Sequence, residues 1–170
     1  MKRIWYVIVA AGVAILAMPA LQYLTRPAAG DAAPHFMLRS GDNAEVSLEG
    51  LSGRPVILHF WASWCGVCMR ELPSLARLQG DYADRGLAVL AVSIDERPAD
   101  ATAAGEALAP GLAVLFDPDG AVADSYHSFA VPDTVFVDRG GRIAWRGAGP
   151  LEWDSPDVRD RVDGLIGGVE

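Results

Sequence analysis

The chain has 170 residues, of which 51% are hydrophobic, and its 14 basic and 22 acidic residues give a net charge of −8 at pH 7. This composition is typical of one packed domain with an appendage and excludes wholesale disorder. Because binding of nucleic acid needs clustered Lys and Arg, an acidic chain without basic runs argues against nucleic acid as a partner.

The first 25 residues differ in composition from the rest of the chain. Lys2 and Arg3 precede an apolar stretch over residues 4–24. In a helix, such a stretch spans roughly 30 Å, the thickness of the bilayer hydrocarbon. We therefore expect residues 1–25 to be a transmembrane anchor, with the basic end in the cytoplasm and everything after it outside.

A cleaved signal peptide is the alternative for this stretch. The apolar region of a signal peptide is usually shorter and ends in a small-x-small site. Met18 and Pro19 stand where small residues are expected, and the better candidate, Ala28 with Gly30, lies well downstream. This pattern favours the uncleaved anchor, which would attach the protein to the inner (cytoplasmic) membrane with its folded part in the periplasm or on the extracytoplasmic face.

Residues 26–34 are rich in Ala, Pro and Gly, lack hydrophobic periodicity and are typical of a linker. We assign residues 35–170 to one folded domain. This domain starts with two short alternating runs around a Gly-Asp-Asn turn, which predict a β-hairpin. The continuous apolar run RPVILHFWA then predicts a strand that is buried on both faces.

The remaining elements alternate. Leu residues at spacings of three and four predict a helix over about residues 66–79, kinked at Pro73. A buried strand at 87–95, a helix opened by Pro98, the short strand AVLF and a short helix follow. The run TVFVD, the turn RGG and the run RIAWRG predict a second hairpin, and an amphipathic stretch over about 155–166 closes the chain. This order predicts an α/β fold with a mixed sheet flanked by helices.

Cys65 and Cys68 are the only cysteines, and three roles compete for them. A zinc site needs four nitrogen or sulfur ligands, and the chain has one Cys pair and three scattered histidines. Haem attachment needs a His directly after the second Cys, where Met69 stands. A structural disulfide across so short a loop removes little entropy from the unfolded chain. We therefore expect no metal and no cofactor.

Redox chemistry suits the same pair of cysteines. Cys65 falls where a buried strand passes into a helix, so free N–H groups and the helix dipole favour its thiolate. Cys68 lies one turn further along and is placed to attack a mixed disulfide formed at Cys65. This predicts Cys65 as the nucleophile and Cys68 as the resolving thiol of a redox-active disulfide.

The segment FWASWCGVCMRELPSL resembles the active site of thioredoxin-fold proteins. Together with SLEGLSGRPVILHFWASWC, LAVLAVSIDE, FDPDGAVADSYHSFAVPDTVFVDRGGRIAWRGAG and the N-terminal apolar segment, it resembles the TlpA/ResA-like, DsbE/CcmG-related thiol-disulfide oxidoreductases. These are membrane-anchored proteins that include reductants of cytochrome c maturation. The resemblance covers about residues 34–149 and implies a thioredoxin-like fold with a strand-helix insertion around residues 92–116.

The resemblance also implies roles for two further sites. Val131 and Pro132 match the cis-proline loop that faces the cysteines and holds a substrate strand; the sequence alone shows only a Pro before a strand, for which a trans turn is the ordinary interpretation. Glu71 matches an acidic residue three positions after the second Cys. A partly buried Glu71 would shuttle the thiol proton, whereas a solvated helix Glu would have no such role.

Three features depart from thioredoxin itself. Gly66 and Val67 stand between the cysteines in place of Gly-Pro, which leaves the reduction potential open. His59 occupies the position of a buried Asp that accepts a proton, and either acts in its place or is a packed core residue. Asp133 follows the proline where many relatives have Thr. Some cytochrome c maturation members carry an acidic residue there.

The predicted function is reduction of protein disulfides by an enzyme that a membrane electron donor reduces again. The substrate class extends from apocytochrome c to copper-site proteins.

We expect Trp61 and Trp64 to pack beside the disulfide, although a plain core role suits Trp61 equally. A copper-handling protein with His127 as a third ligand and a thiol peroxidase acting through Cys65 are alternatives, tested by copper binding of His127→Ala and by Cys65-dependent peroxide turnover.

Overall fold

The computed structural model describes residues 26–168, and the predicted anchor lies outside the described residues. The described chain forms a seven-stranded sheet with helices on its faces. The strands are β1 (Met37–Ser40), β2 (Glu45–Ser47), β3 (Val56–Trp61), β4 (Ala88–Ser93), β5 (Ala113–Phe116), β6 (Asp133–Val137) and β7 (Ile143–Ala148). The α-helices are α1 (Gly66–Tyr82), α2 (Pro98–Leu108), α3 (Ala121–Ser125) and α4 (Pro156–Gly167), and 3-10 turns lie at Glu49–Leu51 and Ala83–Arg85.

The sheet has the order β2-β1-β5-β4-β3-β6-β7. Strands β3, β4 and β5 are parallel, and the other neighbouring pairs are antiparallel. The mixed α/β sheet and the two hairpins are as the sequence predicts. The inserted unit ends in β5, which separates β4 from the N-terminal hairpin.

Strand β3 divides the core into two clusters. Its Ile57 and Trp61 join the cluster under α1, α2 and α4, whereas Val56, Leu58 and Phe60 join the cluster on the opposite face. All six residues of β3 are buried, as are all six of β4, which explains why both strands are apolar apart from His59 and Ser93. Burial on both faces holds β3 rigidly, and its C-terminal end leads directly to Cys65.

Helix α1 is longer than the sequence predicts. It starts at Gly66 and continues through Pro73 to Tyr82, three residues beyond the predicted end, because the apolar stripe of Leu75 and Leu78 continues to the buried Tyr82. Helix α4 begins after Ser155, whose hydroxyl accepts a hydrogen bond from the backbone N–H of Val158.

Residues 26–34, predicted as a linker, lie against the domain. Ala32 forms an antiparallel bridge with Arg142, and the Gly30 N–H donates to the Ile143 carbonyl at 2.8 Å. Ala33 is buried. This segment is called the entry segment below. Within residues 26–168, none of the helices has the length and hydropathy needed to cross a membrane.

Candidate active site

Cys65 lies at the junction between strand β3 and helix α1. It is the N-cap residue of α1, and its sulfur accepts a hydrogen bond from the Cys68 N–H at 3.2 Å. The first turn of a helix has free N–H groups and a partial positive charge, so this position stabilises a sulfur anion. The sequence folds this way because the buried strand ends at Trp61 and the apolar periodicity of the helix starts soon after.

Cys65 and Cys68 are joined by a disulfide bond. Cys65 is partly exposed, whereas Cys68 is completely buried against the core under α1. An incoming sulfur therefore reaches Cys65 first. Gly66 is exposed and Val67 partly exposed between them, and the Gly66 carbonyl accepts a hydrogen bond from Arg70.

The loop over residues 128–132 lies beside this sulfur. The Val131–Pro132 peptide bond is cis, the geometry that the family resemblance implies. The Val131 carbonyl oxygen lies 3.9 Å from the Cys65 sulfur. The Pro132 carbonyl accepts a hydrogen bond from the Gly149 N–H at 2.8 Å. A protein segment that reaches Cys65 therefore comes close to this loop, which is called the cis-proline loop below.

Glu71 lies one turn beyond Cys68 on α1 and is 6% exposed, which excludes the solvated helix Glu. The Leu151 N–H donates to its Oε1 at 2.5 Å, and Oε2 has no hydrogen-bond partner within the described residues. The Trp153 indole N–H is near the carboxylate but outside hydrogen-bond geometry. Burial raises the pKa of Glu71 to about 7, while the Leu151 N–H and Trp153 oppose the rise. The carboxyl therefore exchanges a proton near neutral pH.

His59 is fully buried in β3 on the same face of the sheet as Trp153. Its Nδ1 lies 3.1 Å from the Thr134 hydroxyl, and its ring meets the Trp153 ring edge-on at 5.6 Å. Burial lowers the pKa of His59 to about 4, although the charge of Asp133 opposes this. The imidazole is neutral at pH 7 and packs as a core residue, and its Nε2 has no partner among the described residues.

Asp133 begins β6 directly after Pro132 and is fully buried. Its Oδ2 accepts from Arg26 at 2.6 Å, from Arg146 at 2.5 Å and from the Ser128 hydroxyl at 2.7 Å. Burial lowers the pKa of Arg146, and its bond with Asp133 opposes this. Two guanidinium groups thus neutralise one buried carboxylate next to the cis-proline loop.

The two tryptophans of the cysteine motif differ in their burial. Trp61 is fully buried in the core under α1, whereas Trp64 is 69% exposed, so most of the Trp64 side chain is open to solvent. Phe129 in the cis-proline loop is also exposed. Apolar surface is therefore left open on the two segments that flank Cys65, a common property of surfaces that contact other proteins.

The sequence analysis missed three residues that support this site. Asp95 is 3% exposed and accepts hydrogen bonds from the Ser63 N–H and hydroxyl at 2.9 and 2.7 Å, so it holds the loop before Cys65. Trp153 lies outside the cysteine motif, and Arg26 lies in the predicted linker. The sequence does contain a signal for Asp95, because a charged residue at the end of a buried parallel strand lies at the same edge of the sheet as the cysteines. Among residues 26–168, no three His, Cys, Asp or Glu side chains cluster as metal ligands do.

Comparison with known proteins agrees with this geometry. Residues 29–146 match the model of the AhpC/TSA family. The chain is 31% identical to a thiol-disulfide oxidoreductase ResA of Oceanobacillus iheyensis over 144 residues, which is 82% of this chain and 72% of that protein. It is 35% identical over 117 residues to the thioredoxin-like protein YneN of Bacillus subtilis, covering 67% of this chain and 68% of YneN.

Solved structures give the same result. A crystal structure of a thiol:disulfide interchange protein DsbE from Chlorobium tepidum matches with a TM-score of 0.77 and 29% identity, over 82% of this chain and 99% of that one. A thiol:disulfide interchange protein from Bacteroides sp. matches with a TM-score of 0.71 and 26% identity, over 85% of this chain and 93% of that one. These similarities cover the strands and helices that position the cysteines.

Proposed function

Because this chain belongs to the AhpC/TSA family and is a thiol-disulfide oxidoreductase of the ResA and DsbE type, we propose that it reduces disulfides of other proteins outside the cytoplasm. The observation that carries the proposal is the asymmetry of the pair: Cys65 is partly exposed at a helix N-terminus, and Cys68 is buried one turn before a carboxyl with a pKa of about 7. This asymmetry supports a reaction in which Cys65 binds the partner and Cys68 releases it.

The proposed reaction has two exchange steps. The Cys65 thiolate attacks one sulfur of the partner disulfide, which breaks that bond and releases the other partner sulfur as a thiolate. The Cys68 thiol then loses its proton to Glu71 and attacks the mixed disulfide at Cys65. This step forms the Cys65–Cys68 disulfide and frees the second partner thiolate. Two electrons pass to the partner, and its thiolates take up protons from Glu71 and from solvent.

Each surrounding residue has a proposed part in this reaction. Glu71 is the proton acceptor for Cys68, since its carboxyl is buried and titrates near neutral pH. Val131 and Pro132 form the wall against which the partner segment lies beside Cys65. Trp64 supplies exposed apolar contact surface. His59, neutral and packed against Trp153, supports the position of that ring rather than accepting a proton.

We further propose that residues 1–25 anchor the protein to the cytoplasmic membrane, with the domain outside. There a membrane electron donor reduces it again, and tethering keeps the two at high local concentration. Apocytochrome c and copper-site proteins are the proposed partners. Loss of covalently bound haem c in a deletion strain, restored by the wild-type chain but not by Cys65→Ser, would support the first of these partners.

The first test is the reduction potential of the Cys65–Cys68 disulfide in graded thiol buffers at pH 7. A value near or below the roughly −270 mV of thioredoxin supports a reductant, and one near the roughly −120 mV of a strong oxidant reverses the proposed direction. A second test is Cys68→Ser, which should trap the partner as a mixed disulfide on Cys65. Cys65→Ser should trap none.

A further inference from the structure

The entry segment reaches the active site through one side chain. Arg26 lies 107 residues before Asp133 in the chain, yet its guanidinium donates to the Asp133 carboxylate at 2.6 Å. The arginine side chain is 19% exposed and the carboxylate is fully buried. Charge-assisted bonds of this length between partly desolvated groups are stronger than neutral hydrogen bonds.

The path of the entry segment explains why Arg26 lies there. Residues 30–33 bond to the start of β7, at the end of the sheet opposite the cysteines. Arg26 lies at the other end, because Asp133 pairs with Phe60 near the C-terminal end of β3 and with Ala148 at the end of β7. The segment therefore runs along β7 from the cysteine end of the sheet to the opposite end.

Asp133 couples this arginine to the cis-proline loop. It follows Pro132 directly, and its Oδ2 also accepts from the hydroxyl of Ser128, at the start of that loop. The Val131 carbonyl of the same loop lies 3.9 Å from the Cys65 sulfur. Arg26 thus bonds to a carboxylate that is tied to both ends of the loop. It is hydrogen-bonded to Ser128 at the start and belongs to the residue that follows Pro132 at the end.

Arg146 does not make Arg26 redundant. It also donates to the Tyr126 carbonyl, so its guanidinium is shared between two acceptors, and like Arg26 it makes one bond to Asp133. Without Arg26, Oδ2 of Asp133 keeps its bonds from Arg146 and the Ser128 hydroxyl but loses one of its two cations and its bond to the entry segment. We expect the loop to become less well fixed rather than the domain to unfold.

We propose that Arg26 is a positioning residue for exchange with protein disulfides: through Asp133 it fixes the cis-proline loop against which a partner segment meets Cys65. This inference rests on the proposed disulfide exchange. It assigns the entry segment to the active site, so a chain cleaved after Gly30, the downstream candidate site, would lose the contact.

The test uses the full-length chain in detergent, first reduced and then mixed in a single turnover with one of two disulfides. Insulin is a protein disulfide that must lie along the loop, whereas 5,5′-dithiobis(2-nitrobenzoate) is small enough to reach Cys65 with little contact to it. Arg26→Met removes the charge and keeps the apolar stem. Arg26→Lys restores the charge, and Arg39→Met removes an exposed, ion-paired arginine from β1 as the matched control.

We expect Arg26→Met to lower the second-order rate constant with insulin about tenfold and that with the small disulfide by less than about twofold, since misplacement affects the larger partner most. Arg26→Lys should recover part of the insulin rate, and Arg39→Met should match the wild type. Equal losses with both disulfides, or no loss with either, would overturn the inference.

The proposed direction of electron flow is tested separately by the wild-type rate with insulin. If that rate is negligible, the same variants are compared in the reverse direction, with the oxidised chain and reduced ribonuclease as the protein partner. The ratio of Arg26→Met to wild type then tests the role of Arg26, whichever direction the enzyme favours.

Discussion

Two buried carboxylates flank the disulfide, and their surroundings are opposite. Within residues 26–168 no cation is bonded to Glu71, on the Cys68 side, and burial raises its pKa to about 7. Asp133, on the Cys65 side, is bonded to two guanidinium groups. The two carboxylates therefore differ in the number of arginines bonded to them, and this difference is why we propose a proton-transfer role for Glu71 and a structural role for Asp133.

Removing the ion-paired carboxylate should have the largest effect. Asp133→Ala leaves Arg26 and Arg146 without their shared partner, and we expect a loss of about 3–5 kcal/mol in the free energy of unfolding. Urea unfolding of the oxidised protein measures this loss. Asp154→Ala breaks an exposed pair with Arg77 and should cost less than about 1 kcal/mol. Equal effects of the two substitutions would contradict the comparison.

Removing the titrating carboxyl of Glu71 should slow disulfide exchange rather than unfold the domain. In Glu71→Gln the side chain keeps its size but accepts no proton, so attack by Cys68 on the mixed disulfide should slow about a hundredfold. Single-turnover kinetics from pH 5 to 9 should show the mixed disulfide accumulating and the rate transition near pH 7 disappearing.

Glu152→Gln is the matched control for this substitution. Glu152 is exposed, and its charge raises the pKa of Glu71, while that of Arg70 lowers it. The control should keep the transition, displaced slightly toward acid. A Glu71→Gln profile that still shows the wild-type transition would assign it to another group.

The raised pKa of Glu71 also predicts how stability varies with pH. Between its ordinary value of 4.5 and about 7, the folded chain binds more protons than the unfolded chain, so stability falls as pH rises through this window. Relative to the wild type, the free energy of unfolding of Glu71→Gln should therefore rise by about 1–2 kcal/mol as the pH increases from 5 to 8. Urea unfolding at each pH measures this difference.

The measurement should compare the free energy of unfolding of Glu71→Gln with that of the wild type at each pH, because His59 also makes stability depend on pH, in the opposite sense. Its pKa is lowered from 6.5 to about 4, so the stability it contributes is lost as pH falls through that range. His59 is present in both proteins and cancels from the difference. A difference that does not change with pH would mean that Glu71 is not perturbed by burial.

The smallest predicted effect concerns the indole beside Glu71. Trp153 opposes the rise in the pKa of Glu71, so Trp153→Phe should move the kinetic transition to higher pH. Trp145→Phe changes an indole that packs on Phe136 and should leave the transition in place. A downward movement in Trp153→Phe would show that the indole favours the neutral carboxyl.

Most of the fold could be predicted from the sequence because its signals are local. The buried strands are almost entirely apolar runs, and each hairpin has a recognisable turn sequence between its two strands. The cysteine pair is likewise local, since strand, cap and helix are adjacent in the chain. The end of α1 was predicted too early because Gly80 interrupts the pattern, while Tyr82 beyond it is buried.

The supporting residues of the site could not be predicted in the same way. Leu151 bonds to Glu71 across 80 residues and Arg26 to Asp133 across 107, so both contacts depend on the assembled sheet. Nothing in the local pattern distinguishes Arg26 from an ordinary linker residue. The exposure of Trp64 depends on how the loop after β3 turns, which the motif does not determine.

The contacts of the entry segment also bear on association of the protein with itself. Edge strands with free backbone groups are templates for pairing with other chains. At one edge of the described sheet, residues 30–33 occupy the start of β7; at the other, β2 has only three residues, and Glu45 on it pairs with Arg39. An enzyme whose proposed partners present extended segments is thereby protected against edge-to-edge aggregation.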